Sequence, residues 1–200
     1  LGRLPELPPF FISTFDRKIE IMFNLFKKKE DPVKVIDKIW MSGTAKNNGI
    51  LELWKKDPQI IIITWFSSSL HHLETLFAKE TSSPVQLFLV REMHSSQVSG
   101  KKIFFAEHHP LRKNEQEKFK QWQLKDVIVH SSLDEALFQR FGGERIIEMM
   151  KKLGMTEDSM IEHTMISHSI ENAQKKIEAK VITEHSASSQ QEWIDKNLPA

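Results

Sequence analysis

Cysteine is absent from the 200-residue chain. Its absence excludes disulfides, zinc–thiolate centres and cysteine nucleophiles, and it suits a reducing compartment. Glycine is scarce, with seven residues. None falls in G-x-x-x-x-G-K-[ST], G-x-G-x-x-G or G-x-S-x-G, so the turns that wrap phosphates or raise a serine nucleophile are missing. Gly43-Thr44-Ala45-Lys46 resembles a phosphate loop superficially, but its order is wrong and it sits before the first predicted strand. An excess of one charge is also lacking, at 28 basic against 27 acidic residues. A dedicated nucleic-acid binder carries a marked basic excess, so no nucleic-acid partner is expected. No apolar run approaches the roughly 20 residues that span a bilayer. The longest clear one, Ile60 to Phe66, is strand-sized.

At the amino end, Leu1 to Ile12 is broken by Pro5, Glu6, Pro8 and Pro9 and has no small-residue cleavage site, unlike a signal peptide. Met22 opens a compact stretch, Met22 to Lys29. Residues 1–21 are thus either a stretch upstream of a start at Met22 or a flexible leader. Lys27-Lys28-Lys29 beside Phe23, Leu25 and Phe26 supports at most weak, peripheral membrane contact. A solvated lead-in is the plain reading.

Asp31-Pro32 reads as a helix N-cap with proline at the first helical position, followed by Val33, Ile36, Ile39 and Trp40 near helical spacing. A helix is predicted over 44–56, stopped by Asp57-Pro58. Gln59 to Phe66 is a β-branched run typical of a strand buried on both faces. Helices over 67–80 and 111–121 alternate with strands over 85–90, 102–106 and 126–130. That alternation predicts an α/β fold, a parallel sheet of about four strands flanked by helices. After His130 the pattern turns helical. Ser132-Leu133-Asp134-Glu135 has capping-box spacing and opens a helix ending at Gly142-Gly143. Helices over 144–153 and 166–181 follow, and 184–200 reads as a loose polar tail with Trp193 exposed, with a short helix at its end as the alternative. The expected organisation is an extension over 1–30, an α/β domain over 31–143, a helical block over 144–182 and a tail over 183–200.

Nine histidines invite a metal hypothesis. A helical zinc pair wants two histidines four apart on one face. His71-His72 and His108-His109 are adjacent and point apart, and His163 and His168 are five apart, so no metal site is expected. Glu107-His108-His109 with Arg112 is the better-placed cluster. It follows a strand, and ligand groups in parallel α/β sheets gather at the carboxyl ends of strands. A structural turn is the competing reading.

The stretch Ser132-Leu133-Asp134-Glu135-Ala136-Leu137-Phe138-Gln139-Arg140-Phe141-Gly142-Gly143-Glu144-Arg145-Ile146 resembles the end of the second motor lobe of SecA, the preprotein-translocation ATPase. The likeness continues in order through Lys152-Leu153-Gly154-Met155, Ile161-Glu162-His163 and Asn172-Ala173-Gln174-Lys175-Lys176. Asp37 to Ser42, Lys46 and Ile50 resemble the entry to the same lobe, and Met93-His94 falls where the family has phenylalanine-histidine. The resemblance covers about 37–181. It implies a RecA-like sheet of the P-loop NTPase type with a helical C-terminal block.

The departures bear on chemistry. Where the family has an alanine-glycine-arginine-glycine turn, this chain has Glu107-His108-His109-Pro110. Where it has a glutamine-x-arginine-glycine-arginine motif, 116–126 contains neither arginine nor glycine. Phosphoryl transfer rests on positioning and charge neutralisation, and the Walker A string, the magnesium-binding acids and the arginine fingers are not found. ATP is therefore a cofactor by resemblance only, and none is expected. The resemblance implies a non-catalytic, cytoplasmic relative of the translocation motor that binds a protein partner, either the translocation machinery or a preprotein. Asp134, Arg140, Arg145, Lys151, Glu162 and His163 are the candidate partner-binding residues. The alternative is an enzyme or nucleotide binder using Glu107, His108, His109 and Arg112.

Overall fold

A computed structural model describes residues 31–152 and 154–198. The readings for residues 1–30 lie outside the described residues. Everything below concerns the compact unit that begins at Val33.

Five parallel strands form one sheet in the order β1-β5-β4-β2-β3. They are β1 (Lys34–Trp40), β2 (Ile61–Thr64), β3 (Leu87–Leu89), β4 (Ile103–Phe105) and β5 (Asp126–Ser132). Between them run α1 (Gly43–Lys56), α2 (Ser67–Glu80), the single turn α3 (Ser95–Val98) and α4 (Arg112–Gln121). After β5 come the short α5 (Ala136–Gln139), then α6 (Gly143–Lys152), α7 (Thr164–Glu178) and α8 (Gln190–Asn197). The expected α/β sheet with helices is present, with one strand more than the alternation counted.

That extra strand is β1, where a helix was expected, so Gly43-Thr44-Ala45-Lys46 follows the first strand and opens α1 instead of preceding the sheet. Val33, Ile36, Ile39 and Trp40 fit a helical period, but the segment is also rich in β-branched residues, which favour a pleated, buried surface. Pairing decides between them. β1 runs beside β5 through seven matched positions, from Lys34 opposite Asp126 to Trp40 opposite Ser132. Its outer edge is closed near Ile39, whose amide and carbonyl exchange bonds with Ile161 at 2.9 and 2.8 Å.

The alternation of side chains along the strands divides the core. On one face Ile62 and Phe104 pack with Ile50, Leu51 and Trp54 of α1 and Leu73 and Phe77 of α2. On the other, Ile61, Ile63, Phe105, Val127 and Val129 pack with Phe119 and Trp122 at the end of α4. A third cluster lies across the carboxyl edge of the sheet. Ile39, Met41, Phe66 and Leu133, from the ends of β1, β2 and β5, and Leu111 at the start of α4 meet Leu137, Met150, Ile170, Ile177, Trp193 and Ile194. Helices α5 to α8 are therefore a cap over the carboxyl edge.

The cap overturns the reading of Trp193 as an exposed side chain in a loose tail. Trp193 is 1 % exposed. It lies in α8, which is capped by Ser189 Oγ accepting from Glu192 N at 3.1 Å. Its indole N–H donates to Glu184 Oε1 at 2.9 Å. The apolar stripe of this helix is only Trp193, Ile194 and Leu198, too short to stand out from polar neighbours by periodicity. Half of the capping box expected at Ser132 forms, with Glu135 turning back to accept from the Ser132 amide at 3.1 Å. Ser132 itself ends β5, and the helix begins only at Ala136.

Gly49 and Gly143 are required by close approach. A Cβ at Gly143 would lie 2.3 Å from Leu133 O. A Cβ at Gly49 would lie 2.1 Å from the Trp40 ring, and Trp40 is held by donating its indole N–H to His130 Nδ1 at 3.2 Å. Trp193→Ala should cost about 3–5 kcal/mol, as truncation of a buried aromatic does. Gly49→Ala should cost about 1–3 kcal/mol through overpacking. Urea unfolding midpoints of the two variants check both, and a wild-type midpoint for Trp193→Ala would return residues 184–198 to the status of a tail.

Candidate functional site

The chain beyond β4 turns beneath the cap, and its Glu107-His108-His109 segment is buried. His108 sits between two carboxylates. Its Nδ1 lies 2.8 Å from Glu115 Oε1 on α4, and its Nε2 lies 2.9 Å from Asp37 Oδ1 on β1. Burial opposes a charge on this ring, but the two carboxylates outweigh it and push the pKa up to about 10. His108 is thus an imidazolium donating from both nitrogens. For Asp37 burial works in the raising direction, yet the contact with His108 prevails and the carboxyl is lowered.

The same segment is tied to every helix around it. Glu115 Oε1 also accepts from His109 N at 2.8 Å. Gln174 on α7 donates to His109 O at 2.8 Å and to Glu115 Oε2 at 3.0 Å. Gln190 on α8 donates to His108 O at 3.0 Å and accepts from Leu137 N at 2.8 Å. His109 Nδ1 accepts from Leu111 N at 3.0 Å, and its ring stacks on Phe66 and meets Trp193 edge-on. Arg112 pairs with Glu171 of α7 at 2.5 Å.

Glu107 has a separate task. Its Oε1 accepts from Trp65 N and Phe66 N, both at 3.0 Å, and its Oε2 from Ser69 Oγ at 2.5 Å. These donors form the entry to α2, so the carboxylate occupies that helix's positive end. Burial pushes its pKa up to about 7, against the Lys46 charge and the bond from Ser69. The entry to α1 is filled in the same way. Asp134 Oδ2 accepts from Gly43 N at 2.9 Å. Just inside, Lys46 donates to Ala106 O at 2.8 Å and to Glu135 Oε1 at 2.5 Å.

In doubly wound sheets, phosphates bind where helix N-termini open at the carboxyl edge. Here Asp134 and Glu107, from the chain itself, stand at the N-termini of α1 and α2, and Glu178 accepts from Lys113 N in the first turn of α4 at 2.6 Å. The space left beside His108 is a void of about 20 Å³ lined by Asp37, Arg112, Glu115, Ser167 and Gln174. That is room for one water, against roughly 300–1,000 Å³ for a small-molecule pocket. A wider groove of about 430 Å³ lies at the amino ends of β4 and β5, beside Trp122 and the exposed Lys101 and Lys125. None of the candidate residues lines it. Among the described residues no three or more acidic or histidine side chains are arranged to hold a metal ion.

The structure therefore brings Glu107, His108, His109 and Arg112 together, but as an internal framework. Several of the six candidate partner-binding residues make local contacts. Asp134 caps α1, and Lys151 lies 3.3 Å from Glu157. Glu162 pairs with Lys38, and His163 Nδ1 accepts from Met165 N at 3.2 Å at the start of α7. Arg140 and Arg145 are exposed, at the end of α5 and in the first turn of α6. Sequence reasoning missed Asp37, Glu115, Gln174 and Gln190. A signal for two of them was present. Glu115 falls on the inward stripe Leu111–Glu115–Phe119, and Gln174 lies between Ile170 and Ile177. A polar residue at an apolar position needs a buried partner.

The two raised groups have the same sign. His108, with a folded value of about 10 against an unfolded one near 6.5, contributes stability that is complete below pH 6.5 and lost as pH rises through 10. Glu107, at about 7 against roughly 4.5 unfolded, favours the fold below pH 4.5 and loses that contribution as pH rises through 7. The urea midpoint should therefore fall between pH 6.5 and 10. Glu107→Gln should leave that alkaline loss in place, and His108→Gln should abolish it. An unchanged wild-type midpoint across this range would mean that His108 is not charged in the fold.

No family model matches the chain. A 49-residue segment, 24 % of the chain, is 51 % identical to the protein translocase subunit SecA of Acinetobacter baumannii strain AYE and to that of Acinetobacter baylyi. It is 49 % identical to SecA of Alkaliphilus oremlandii over the same length. The match spans 5 % of each Acinetobacter protein and 6 % of the third, about one twentieth of these curated relatives. The chain thus carries a SecA-like segment, and its fold is a parallel α/β sheet flanked by helices.

Proposed function

We propose that this protein is a non-catalytic, SecA-related partner-binding protein that acts in protein export, on the cytoplasmic side. The SecA-like segment supports the relation to translocation. The observation that carries the non-catalytic part is the occupation of the N-termini of α1 and α2, at the sheet's carboxyl edge, by the chain's own carboxyl groups, Asp134 on Gly43 N and Glu107 on Trp65 N and Phe66 N. An entering phosphate would find these amides already bonded to side-chain oxygens, where a phosphate site needs free amides and a lysine. Lys46, the nearest cation, is already shared between Glu135 and a backbone carbonyl. The helical cap lies over the same edge.

The competing assignment, an enzyme or nucleotide binder at Glu107, His108, His109 and Arg112, has less behind it. The first three are buried and committed to internal bonds. A catalytic acid or base must reach a substrate proton within about 3 Å, and the adjoining void is one water in size. No helix among the described residues is long and apolar enough to cross a membrane, so the reading assigns any membrane contact to the periphery or to a partner.

Isothermal titration of the full chain with ATP and ADP, with and without magnesium, tests the reading. No saturable heat is expected up to millimolar nucleotide. Micromolar affinity for either nucleotide would overturn it and favour the strand-edge alternative.

A further inference from the structure

The cap carries an apolar feature that its internal packing does not use. Leu137, Phe141, Ile146, Ile166, Ser169 and Ala173, from α5 and the turn after it, α6 and α7, surround a cavity of about 60 Å³ open to the surface. Its lining is apolar apart from Ser169. Beside it stand large apolar side chains in water: Phe141 is 38 % exposed, Met149 54 % and Met165 70 %. Met149 lies one helical turn from Ile146, and Met165 one turn from Ser169, so both flank the opening. Five of the chain's eight methionines, Met149, Met150, Met155, Met160 and Met165, fall in this short stretch of sequence. Methionine is the side chain that best adapts its shape to a varied apolar surface.

We propose that this groove docks an amphipathic helix of a partner protein, which inserts one large apolar side chain between α5, α6 and α7. Four observations select that occupant. First, the cavity is less than half the roughly 150 Å³ that holds a benzene, so it fits the tip of a side chain, not a free ligand. Second, the walls are helical, with backbone groups bonded inside their own segments, as in Gln139 N to Glu135 O and Arg140 N to Ala136 O. An extended peptide would find no backbone partners there, whereas a helix satisfies its own. Third, Ser169 and Ala173 are small and one turn apart on α7, which lets a second helix approach closely. Fourth, the exposures of Phe141, Met149 and Met165 amount to little more than one and a half whole side chains, or about 300 Å² at the size of a large apolar residue. A stable dimer needs about 800 Å² from each partner, so a second copy of the chain is a poor fit. The Lys176 ammonium lies 5.9 Å from the Phe141 ring centroid, which favours a neutral or acidic polar face on the incoming helix.

The inference deepens the partner-binding reading and rests on it. The probe is a 16-residue Leu/Ala/Gln/Glu amphipathic peptide, with a control of the same composition carrying two central prolines. Binding to the full chain is followed by methionine-methyl NMR and by fluorescence anisotropy. The helical peptide should shift the Met149 and Met165 methyl signals saturably, and the proline peptide should not. Ser169→Trp, a change at an exposed position that fills the groove, should weaken binding at least tenfold with an unchanged urea midpoint. Equal affinity for the proline peptide would overturn the proposal in favour of an extended segment. Methyl shifts that follow the protein's own concentration would overturn it in favour of a second copy. Absence of saturable shifts at millimolar peptide would overturn it outright. None of these outcomes bears on nucleotide binding, so the groove and the non-catalytic reading fail separately.

Discussion

The His108 imidazolium, held between Asp37 and Glu115, is the constraint on which the rest of the cap depends. A buried charge is tolerated only when it is paired and its hydrogen-bonding capacity is filled. Here both ring nitrogens are used, at 2.8 and 2.9 Å. The two carboxylates come from β1 and α4, on either side of the turn after β4. Fixing the ring fixes the His108 and His109 carbonyls, which are the acceptors for Gln190 of α8 and Gln174 of α7. The cap is thus oriented by hydrogen bonds to one turn as well as by its apolar contacts.

This arrangement has a consequence for chemistry. The carboxyl edge of a parallel sheet is where α/β proteins place ligands, because loops and helix N-termini converge there. In this chain the edge is filled from three directions: by the charged turn, by carboxylates at the entries to α1 and α2, and by the apolar underside of α5 to α8. The fold of a nucleotide-handling lobe is compatible with the sheet, but a fold alone does not supply an activity. Among the described residues, large apolar side chains of the cap such as Phe141, Met149 and Met165 reach water.

Much of this was legible in the sequence, for reasons that can be stated. Ile60–Phe66 announced a buried strand because its β-branched run had no polar alternation. Ser67–Glu80 announced a helix because Leu73 and Phe77 recur on one face. Glu107-His108-His109 was singled out because it follows a strand, and the structure does gather it with Arg112. What remained hidden depended on tertiary pairing. β1 reads equally as helix or strand until β5 is beside it, and α8 has too few apolar residues to declare itself. The role of the strand-edge cluster was hidden as well, since nothing in Glu-His-His says whether its partners will be a ligand or the carboxylates of Asp37 and Glu115.

The most direct test of this account is the protonation state of His108, read from ring nitrogen shifts in ¹⁵N NMR of the full chain at pH 8. An imidazolium with both N–H protons present and slow to exchange is predicted, because the ring is enclosed between two carboxylates. A neutral, single-tautomer ring at that pH, exchanging freely with solvent, would contradict the account and reopen the carboxyl edge as a site.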